Sequence, residues 1–247
     1  MGRVQDKVAL ITGGASGIGL AAATLFAEEG ASVVVADRDE AAGRSAAAAL
    51  ARASFHRLDV TREDDWIAVT DAVVRDHGRL DILVNSAGVV LFKDIEATTL
   101  DEWRALMAVN LDGTFLFTNA VVPAMQRQGR GKIVNLASIA GRGRSVSSSA
   151  AYATAKGGII ALTKKLSYEL GPYGININAI APSVTLTERI RPHWLRRSQE
   201  DQARAIDNTP LRRVAEAVDQ ARVICFLASE DADFVTGETI DVTGGGS

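Results

Sequence analysis

Apolar runs of five to seven residues, rich in Val, Ile and Leu, recur along the chain and are separated by longer amphipathic stretches. The runs read as strands are "VALIT" (8–12), "SVVVAD" (32–37), "FHRLDV" (55–60), "DILVNSA" (81–87), "KIVNLAS" (132–138), "INAIAP" (177–182) and "ETIDVT" (238–243). Several are apolar at both odd and even positions, the pattern of parallel strands covered by helices on either side. Helical stretches lie between them: "GLAAATLFAEEG" (19–30), "REDDWIAVTDAVVRDHG" (62–78) and "AEAVDQARVICFLASE" (215–230). The Ala-rich "SAAAALARA" (45–53) also reads as helix on propensity. Strands alternating with helices predict an α/β fold, a doubly wound parallel sheet of about seven strands with helices on both faces. No Pro/Gly-rich linker or repeat divides the chain, so a single domain over 1–247 is expected.

Composition narrows the function classes. Hydrophobic residues make up 47% of the 247, enough for a sizeable core. Lys+Arg 27 against Asp+Glu 30 leaves −3, which argues against nonspecific nucleic-acid binding. No uninterrupted apolar run approaches the roughly 18 residues of a membrane span. The N-terminal "MGRVQDK" lacks the apolar stretch of a signal peptide, and Asp6 stands where a myristoylation signal carries Ser or Thr. With one cysteine there is no intramolecular disulfide; Cys225, among apolar neighbours, reads as a buried small hydrophobe. Three histidines and one cysteine are few for a structural metal site, and none is expected. A soluble, cytoplasmic protein is the expectation.

Directly after the first strand comes "TGGASGIG" (12–19), followed by a helix. Glycines there allow a tight turn and let backbone N–H groups approach a pyrophosphate at the helix N-terminus, as in the Rossmann fold. An acid, Asp37, ends the second strand 20 residues after Gly17, where a carboxylate meets the ribose hydroxyls of a dinucleotide. A carboxylate at that place repels a 2′-phosphate, so NAD is expected rather than NADP. The neighbouring Arg38 works in the opposite sense.

"SAAYATAKGG" (149–158) sets Tyr152 and Lys156 four residues apart on one helical face, with only Ala and Thr between them. "TGGASGIG", "NSAG" (85–88), Ser138 and "YATAK" (152–156), in that order, resemble the short-chain dehydrogenase/reductase family in its single-domain form, from about Lys7 onward. The resemblance implies that Gly13, Ser16, Gly17, Ile18 and Gly19 form the phosphate loop and that Asp59 and Val60 hold the adenine. It aligns Asn85, Ala87 and Gly88 with the family's Asn-Asn-Ala-Gly, with Ser86 in place of the second Asn. Asn110 matches an asparagine that holds a water in a proton relay. Pro182, Val184 and Thr187 fall on the nicotinamide segment, where Ser183 replaces a glycine, and Thr243 stands where an Asp is common. The catalytic set it implies is Asn110, Ser138, Tyr152 and Lys156.

The chemistry needs these residue types. Hydride loss from an alcohol requires a base for the hydroxyl proton, and the reverse reaction needs an acid in the same place. A free tyrosine, with a pKa of about 10, is a poor base at neutral pH, but a nearby ammonium and an oxidised nicotinamide favour its phenolate. Lys156 can also hold the nicotinamide ribose, and Ser138 can hydrogen-bond the substrate oxygen.

The stretch 187–213 is expected to act as a substrate lid. From Glu188 to Arg213 it carries seven arginines against four acids. Arg189, Arg191 or His193 could attract a polar or anionic substrate beside Trp194; alternatively the arginines pair with acids of their own surface helix. "AGRGRSVSSSA" (140–150) is a second substrate-loop candidate, and Val89, Val90, Leu91 and Phe92 could form an apolar wall. The function expected is an NAD-dependent oxidoreductase of a secondary alcohol: a polyol, sugar, hydroxy acid or cyclic alcohol. Two alternatives stand beside it: an NADPH-dependent 3-oxoacyl reductase of fatty-acid synthesis, and a dinucleotide sensor without turnover. The resemblance implies a homotetramer.

Overall fold

The computed structural model describes residues 2–144 and 148–246. Seven strands form one sheet: β1 (Val8–Thr12), β2 (Ser32–Asp37), β3 (Ala53–Arg57), β4 (Ile82–Asn85), β5 (Gly131–Leu136), β6 (Ile175–Pro182) and β9 (Thr239–Val242). Their order is β3-β2-β1-β4-β5-β6-β9, and every pairing is parallel. Two two-residue strands, β7 (Thr185–Leu186) and β8 (Ala215–Glu216), pair apart from the sheet. That small ribbon ties together the two ends of the stretch between Thr187 and Val214.

The alternation of side chains along each strand builds two cores. Ile11, Val33, Val35, Val84, Val134 and Ile180 face α1 (Gly17–Glu28), α2 (Glu40–Ala48) and α9 (Ala217–Ala228), with Phe26 and Ile224 fully buried among them. Leu10, Val34, Leu83, Ile133 and Ile177 face the other way, onto α3 (Glu63–His77), α5 (Gly113–Gln128) and α6 (Ala150–Leu170). Both faces are covered, which is why these strands read as near-continuous apolar runs. Cys225 lies in the first core with its thiol pushed up to about 11 by burial, as the apolar neighbours in the sequence imply.

Three differences from the sequence reading have local causes. The Ala-rich segment is helical only to Ala48, because Arg52 takes a left-handed turn (φ 56°) from which β3 starts in register with Val33. The Arg52 guanidinium, held by Asp6 and Ser32, braces that turn. Strand β3 stops at Arg57, leaving Asp59 and Val60 in the following turn, where Asp59 accepts from the amide and hydroxyl of Thr61. Finally, α4 (Leu100–Met107), a π-turn (Ala108–Asp112) and α5 run on as one 29-residue helix. One 18-residue window of it is apolar enough to cross a membrane by length and composition (mean hydropathy 1.4), a property that the search for uninterrupted apolar runs missed. Here the helix packs on the sheet through Phe117, Val121 and Met125.

Parallel strands around a change of direction leave a crevice at their C-terminal ends. The chain builds outward from β1 through β2 to β3 on one side, then crosses back to β4 on the other side of β1, so the crevice opens beyond Thr12 and Asn85. A further close approach sets its floor. The 3₁₀ turn Ile139–Arg142 after β5 lies against α6 so tightly that a Cβ on Gly141 would sit 2.5 Å from the carbonyl carbon of Lys156 and 2.6 Å from Gly157 N. Gly141→Ala should therefore force these two backbones apart at a cost of about 1–3 kcal/mol, lowering Tm by about 3–10 °C. An unchanged melting curve by circular dichroism would contradict this packing.

Candidate active site

One continuous cleft of about 720 Å³ runs along the C-terminal edge of the sheet. At one end lies the glycine loop. Gly13 and Gly17 have positive φ (64° and 56°), and a Cβ on Gly13 would meet Ala87 at 2.8 Å. Thr12 Oγ1 accepts from Ser86 N (3.1 Å) and Ala87 N (3.2 Å), fastening the loop to the segment after β4. The first turn of α1 holds no acidic residue, and its cap, Ser16, makes no side-chain capping bond. That leaves N–H groups and a positive helix end facing the cleft, a fit for a pyrophosphate. A Cβ on Gly17 would lie 3.2 Å from Thr187 Cγ2, so Thr187 borders the same space.

Beside the loop, Asp37 accepts from Ala15 N through Oδ2 (3.2 Å) and from Asp39 N through Oδ1 (3.1 Å). Its carboxylate is thereby fixed at the end of β2. The Asp59 carboxylate is held below its usual range by the hydroxyl and amide of Thr61, with the charges of Arg38 and Arg62 adding to the effect.

The other end of the cleft collects the four residues expected to be catalytic. Lys156 is buried, and its Nζ donates to Leu136 O, the last carbonyl of β5 (2.6 Å). Burial pushes its pKa down to about 8. The same Nζ lies 5.7 Å from the centre of the Tyr152 ring. Ser149 caps α6 by accepting from Tyr152 N, which places Tyr152 in the first turn. Ser138 follows β5 in extended conformation, and its Oγ accepts from Ala140 N. Burial raises the Tyr152 pKa; hydrogen bonding from Ser138 and the charge of Arg189 oppose that rise.

Asn110 sits fully buried at the centre of the π-turn. Its Nδ2 donates to Val89 O (3.0 Å) and Leu106 O (3.1 Å), while Oδ1 accepts from Val89 N (3.3 Å). Both amide protons are thus engaged with backbone, and the side chain holds the segment after Gly88. A Cβ on Gly88 would lie 2.8 Å from Asn110 Oδ1 and 3.7 Å from Lys156 Nζ, so glycine is needed for this approach.

Helix α7 (Arg191–Leu195) borders the cleft through His193 and Trp194, and α8 (Gln199–Asp207) follows it. Trp194 is buried and lines the cleft, with the Arg197 guanidinium 5.4 Å from its ring. His193 packs on Phe92 across the opening, ring centres 5.4 Å apart. Several lid arginines do pair with acids: Arg204 with Glu200, Arg212 with Asp207, Arg191 with Glu216 and Arg213 with Asp219. The second substrate-loop candidate lies partly outside the described residues, at 145–147.

Most of the residues named from sequence border this cleft, including Ser16, Ile18, Arg38, Val60, Pro182 and Val184. Two do not. Gly19 is a packing residue, since a Cβ there would meet Gly13 O at 2.2 Å. Asn85 turns into the interior, donating to Thr118 Oγ1 (3.1 Å) and Asn135 Oδ1 (2.9 Å) in a buried polar chain that Asn135 continues to Thr163. Ser183 is accommodated without strain: among the described residues only Asp6, Arg52 and Arg212 are non-glycines with positive φ. Sequence reasoning missed Thr12, and also Gln220, whose Nε2 donates to Thr185 Oγ1 and Val242 O and so anchors the β7 segment. A glutamine inside an amphipathic helix gives no signal of that role. The position of Thr12, between strand and glycine loop, could have given one.

The family described as enoyl-(acyl carrier protein) reductase matches residues 13–247. Cyclopentanol dehydrogenase of Comamonas testosteroni is 38% identical over 250 residues, 99% of this chain and 98% of that enzyme. Trans-4-hydroxycyclohexanecarboxylate dehydrogenase of Sinomonas cyclohexanicum is 38% identical over 253 residues, 98% of this chain and 93% of its own. Among solved structures, levodione reductase superposes with a TM-score of 0.92 at 33% identity, covering 98% of each chain.

The buried amine leaves a thermodynamic signature. Near neutral pH Lys156 is charged in both folded and unfolded chains, and its burial opposes folding. Above about 8 the folded chain sheds the proton that the unfolded chain keeps to about 10.5, so this opposition fades as pH rises. Relative to Lys156→Met, the wild type should gain about 2–3 kcal/mol of stability between about pH 7 and 10. Denaturant titrations of both proteins check it; a constant difference would contradict the assigned burial.

Proposed function

The chain belongs to the short-chain dehydrogenase/reductase family and is an oxidoreductase of the CH–OH group, and from that premise we propose that it oxidises cyclic secondary alcohols with NAD, using Tyr152 as the general acid and base. The observation that carries this reading is the joining, in one cleft, of Tyr152, Lys156 and Ser138 at one end with the glycine loop and Asp37 at the other.

NAD, when bound, supplies the hydride acceptor. Gly13, Ser16, Gly17 and Ile18 with the N-terminus of α1 would hold its pyrophosphate, and Asp37 its adenosine ribose. Asp59 and Val60 border the adenine end, and Ala87, Gly88, Pro182, Val184 and Thr187 the nicotinamide end. The fixed Asp37 carboxylate supports NAD over NADP, since a 2′-phosphate there meets a charge already locked by Ala15 N and Asp39 N. Arg38, which lines the same end of the cleft, works in the opposite sense.

Ser138 Oγ would donate to the substrate oxygen while Tyr152 Oη takes or returns its proton. With its pKa raised by burial, the phenol is protonated near neutral pH and suited to carbonyl reduction, whereas alcohol oxidation should strengthen as pH rises. Lys156 would steady the developing phenolate and hold the nicotinamide ribose. Asn110 keeps the Val89 backbone in place beside them; its relay role is the part carried by resemblance.

Val89, Val90, Phe92 and Trp194 give the substrate end apolar walls. These suit an alicyclic ring better than a polyol or a sugar, and cyclic alcohols are what the named relatives dehydrogenate. The 187–213 stretch would serve as the lid of a single domain. Exposed Phe115, Tyr168 and Phe234 support a homotetramer built on α5, α6 and the approach to β9.

Initial rates with cyclopentanol and each dinucleotide test the reading. kcat/KM with NAD should exceed that with NADP at least about tenfold, and Tyr152→Phe should lower kcat by about 100- to 10,000-fold while NAD affinity stays within a few-fold. An NADP preference would contradict the role of Asp37. Turnover by Tyr152→Phe near the wild-type rate would end the role of Tyr152.

A further inference from the structure

Resting on the dehydrogenase reading above, we propose that the ring alcohol this cleft receives carries a carboxylate, and that Arg189 is the group that binds it. Of the seven arginines between Glu188 and Arg213, four are paired with carboxylates. Arg189, Arg196 and Arg197 have no carboxylate partner among the described residues; Arg189 and Arg197 line the cleft, and of these two Arg197 is already engaged by the Trp194 ring. Although exposed, Arg189 is tied down. Its Nη1 donates to Gly88 O (2.8 Å), reaching across 101 positions of sequence to the backbone beside Asn110 and Lys156. That bond uses one of five guanidinium N–H donors and leaves the rest for a planar anion. The charge of Arg189 acts on the Tyr152 phenol, so the guanidinium lies within reach of the reacting end.

A second polar group faces the same space. Ser148 lines the cleft, and its Oγ is buried with no hydrogen-bond partner among the described residues. Ser148 and Arg189 are held to one short segment: Ser149 N donates to Leu91 O, and Arg189 to Gly88 O. A buried hydroxyl with nothing to bond is costly unless a ligand supplies the partner. Val89, Phe92 and Trp194 add apolar walls to the same cleft. The arrangement therefore offers an acid-base pair for a carbinol, a hydrophobic slot for a ring, and a cation with a hydroxyl for an anionic substituent. Glu188 is the one acid lining the lid side, set against Arg189 and Arg197; the aspartates of the cleft belong to its glycine-loop end.

The test compares two isosteric substrates, trans-4-hydroxycyclohexanecarboxylate and its neutral carboxamide, with cyclopentanol as a third. Wild-type kcat/KM for the acid should exceed that for the amide about 10- to 100-fold, mostly through KM, the range a charge-assisted bidentate contact spans. Arg189→Gln should bring the acid-to-amide ratio close to one, and Arg189→Lys should restore part of it. Equal turnover of acid and amide by the wild type, or a ratio unchanged in Arg189→Gln, would overturn the carboxylate assignment. If cyclopentanol is oxidised and neither cyclohexane derivative is, this inference fails while the dehydrogenase reading stands. If no alcohol of the three reduces NAD, both fail together.

Discussion

A single short hydrogen bond, Lys156 Nζ to the carbonyl of Leu136, organises the reactive end of this molecule. It joins the middle of helix α6 to the last residue of strand β5, and so fixes Tyr152, one turn earlier on α6, relative to Ser138, two residues beyond the strand. The amine can be buried there because a sheet edge supplies a carbonyl with no further strand partner. Burying an ammonium with only one strong acceptor is unfavourable, and its depressed pKa records that cost. The glycines around it serve the same contact. Gly141 lets the turn after β5 touch the α6 backbone, and Gly88 leaves room beside Nζ.

A second tie works across the cleft. The segment from Gly88 to Phe92 is held from four directions: by Asn110 at Val89, by Ser149 at Leu91, by Arg189 at Gly88 and by His193 at Phe92. Three distant parts of the chain, the π-turn, the start of α6 and the lid, therefore share one short stretch of backbone. At the π-turn the Asn110 amide reaches Val89 as well as Leu106 of its own helix, so it joins that helix to the stretch after Gly88.

The sheet was largely legible in the sequence because parallel strands buried on both faces stand out as apolar runs, and the glycine loop and Tyr-Lys pair sit where strand ends and helix starts demand them. What escaped was tertiary. Asn85 and Gly19 carry motif positions, yet one feeds a buried polar chain and the other allows a backbone contact. Neither purpose is encoded in spacing. Strand β3 ended early because the Asp59 side chain closes its own turn, a competition between local hydrogen bonds and the sheet ladder that apolar patterning does not register. The burial of Tyr152, which pushes its pKa up, is likewise a tertiary effect that helical spacing does not carry.

The account stands on hydride passing between a carbinol carbon and a dinucleotide at this one cleft. The most direct measurement is isotopic. Cyclopentanol carrying deuterium at the carbinol carbon is incubated with the enzyme and NAD, and the reduced dinucleotide is weighed by mass spectrometry. One deuterium per reduced nicotinamide is the predicted result, together with a rate slower than for the unlabelled alcohol whenever the transfer limits turnover. Reduced dinucleotide free of deuterium, or none formed at all, would contradict it.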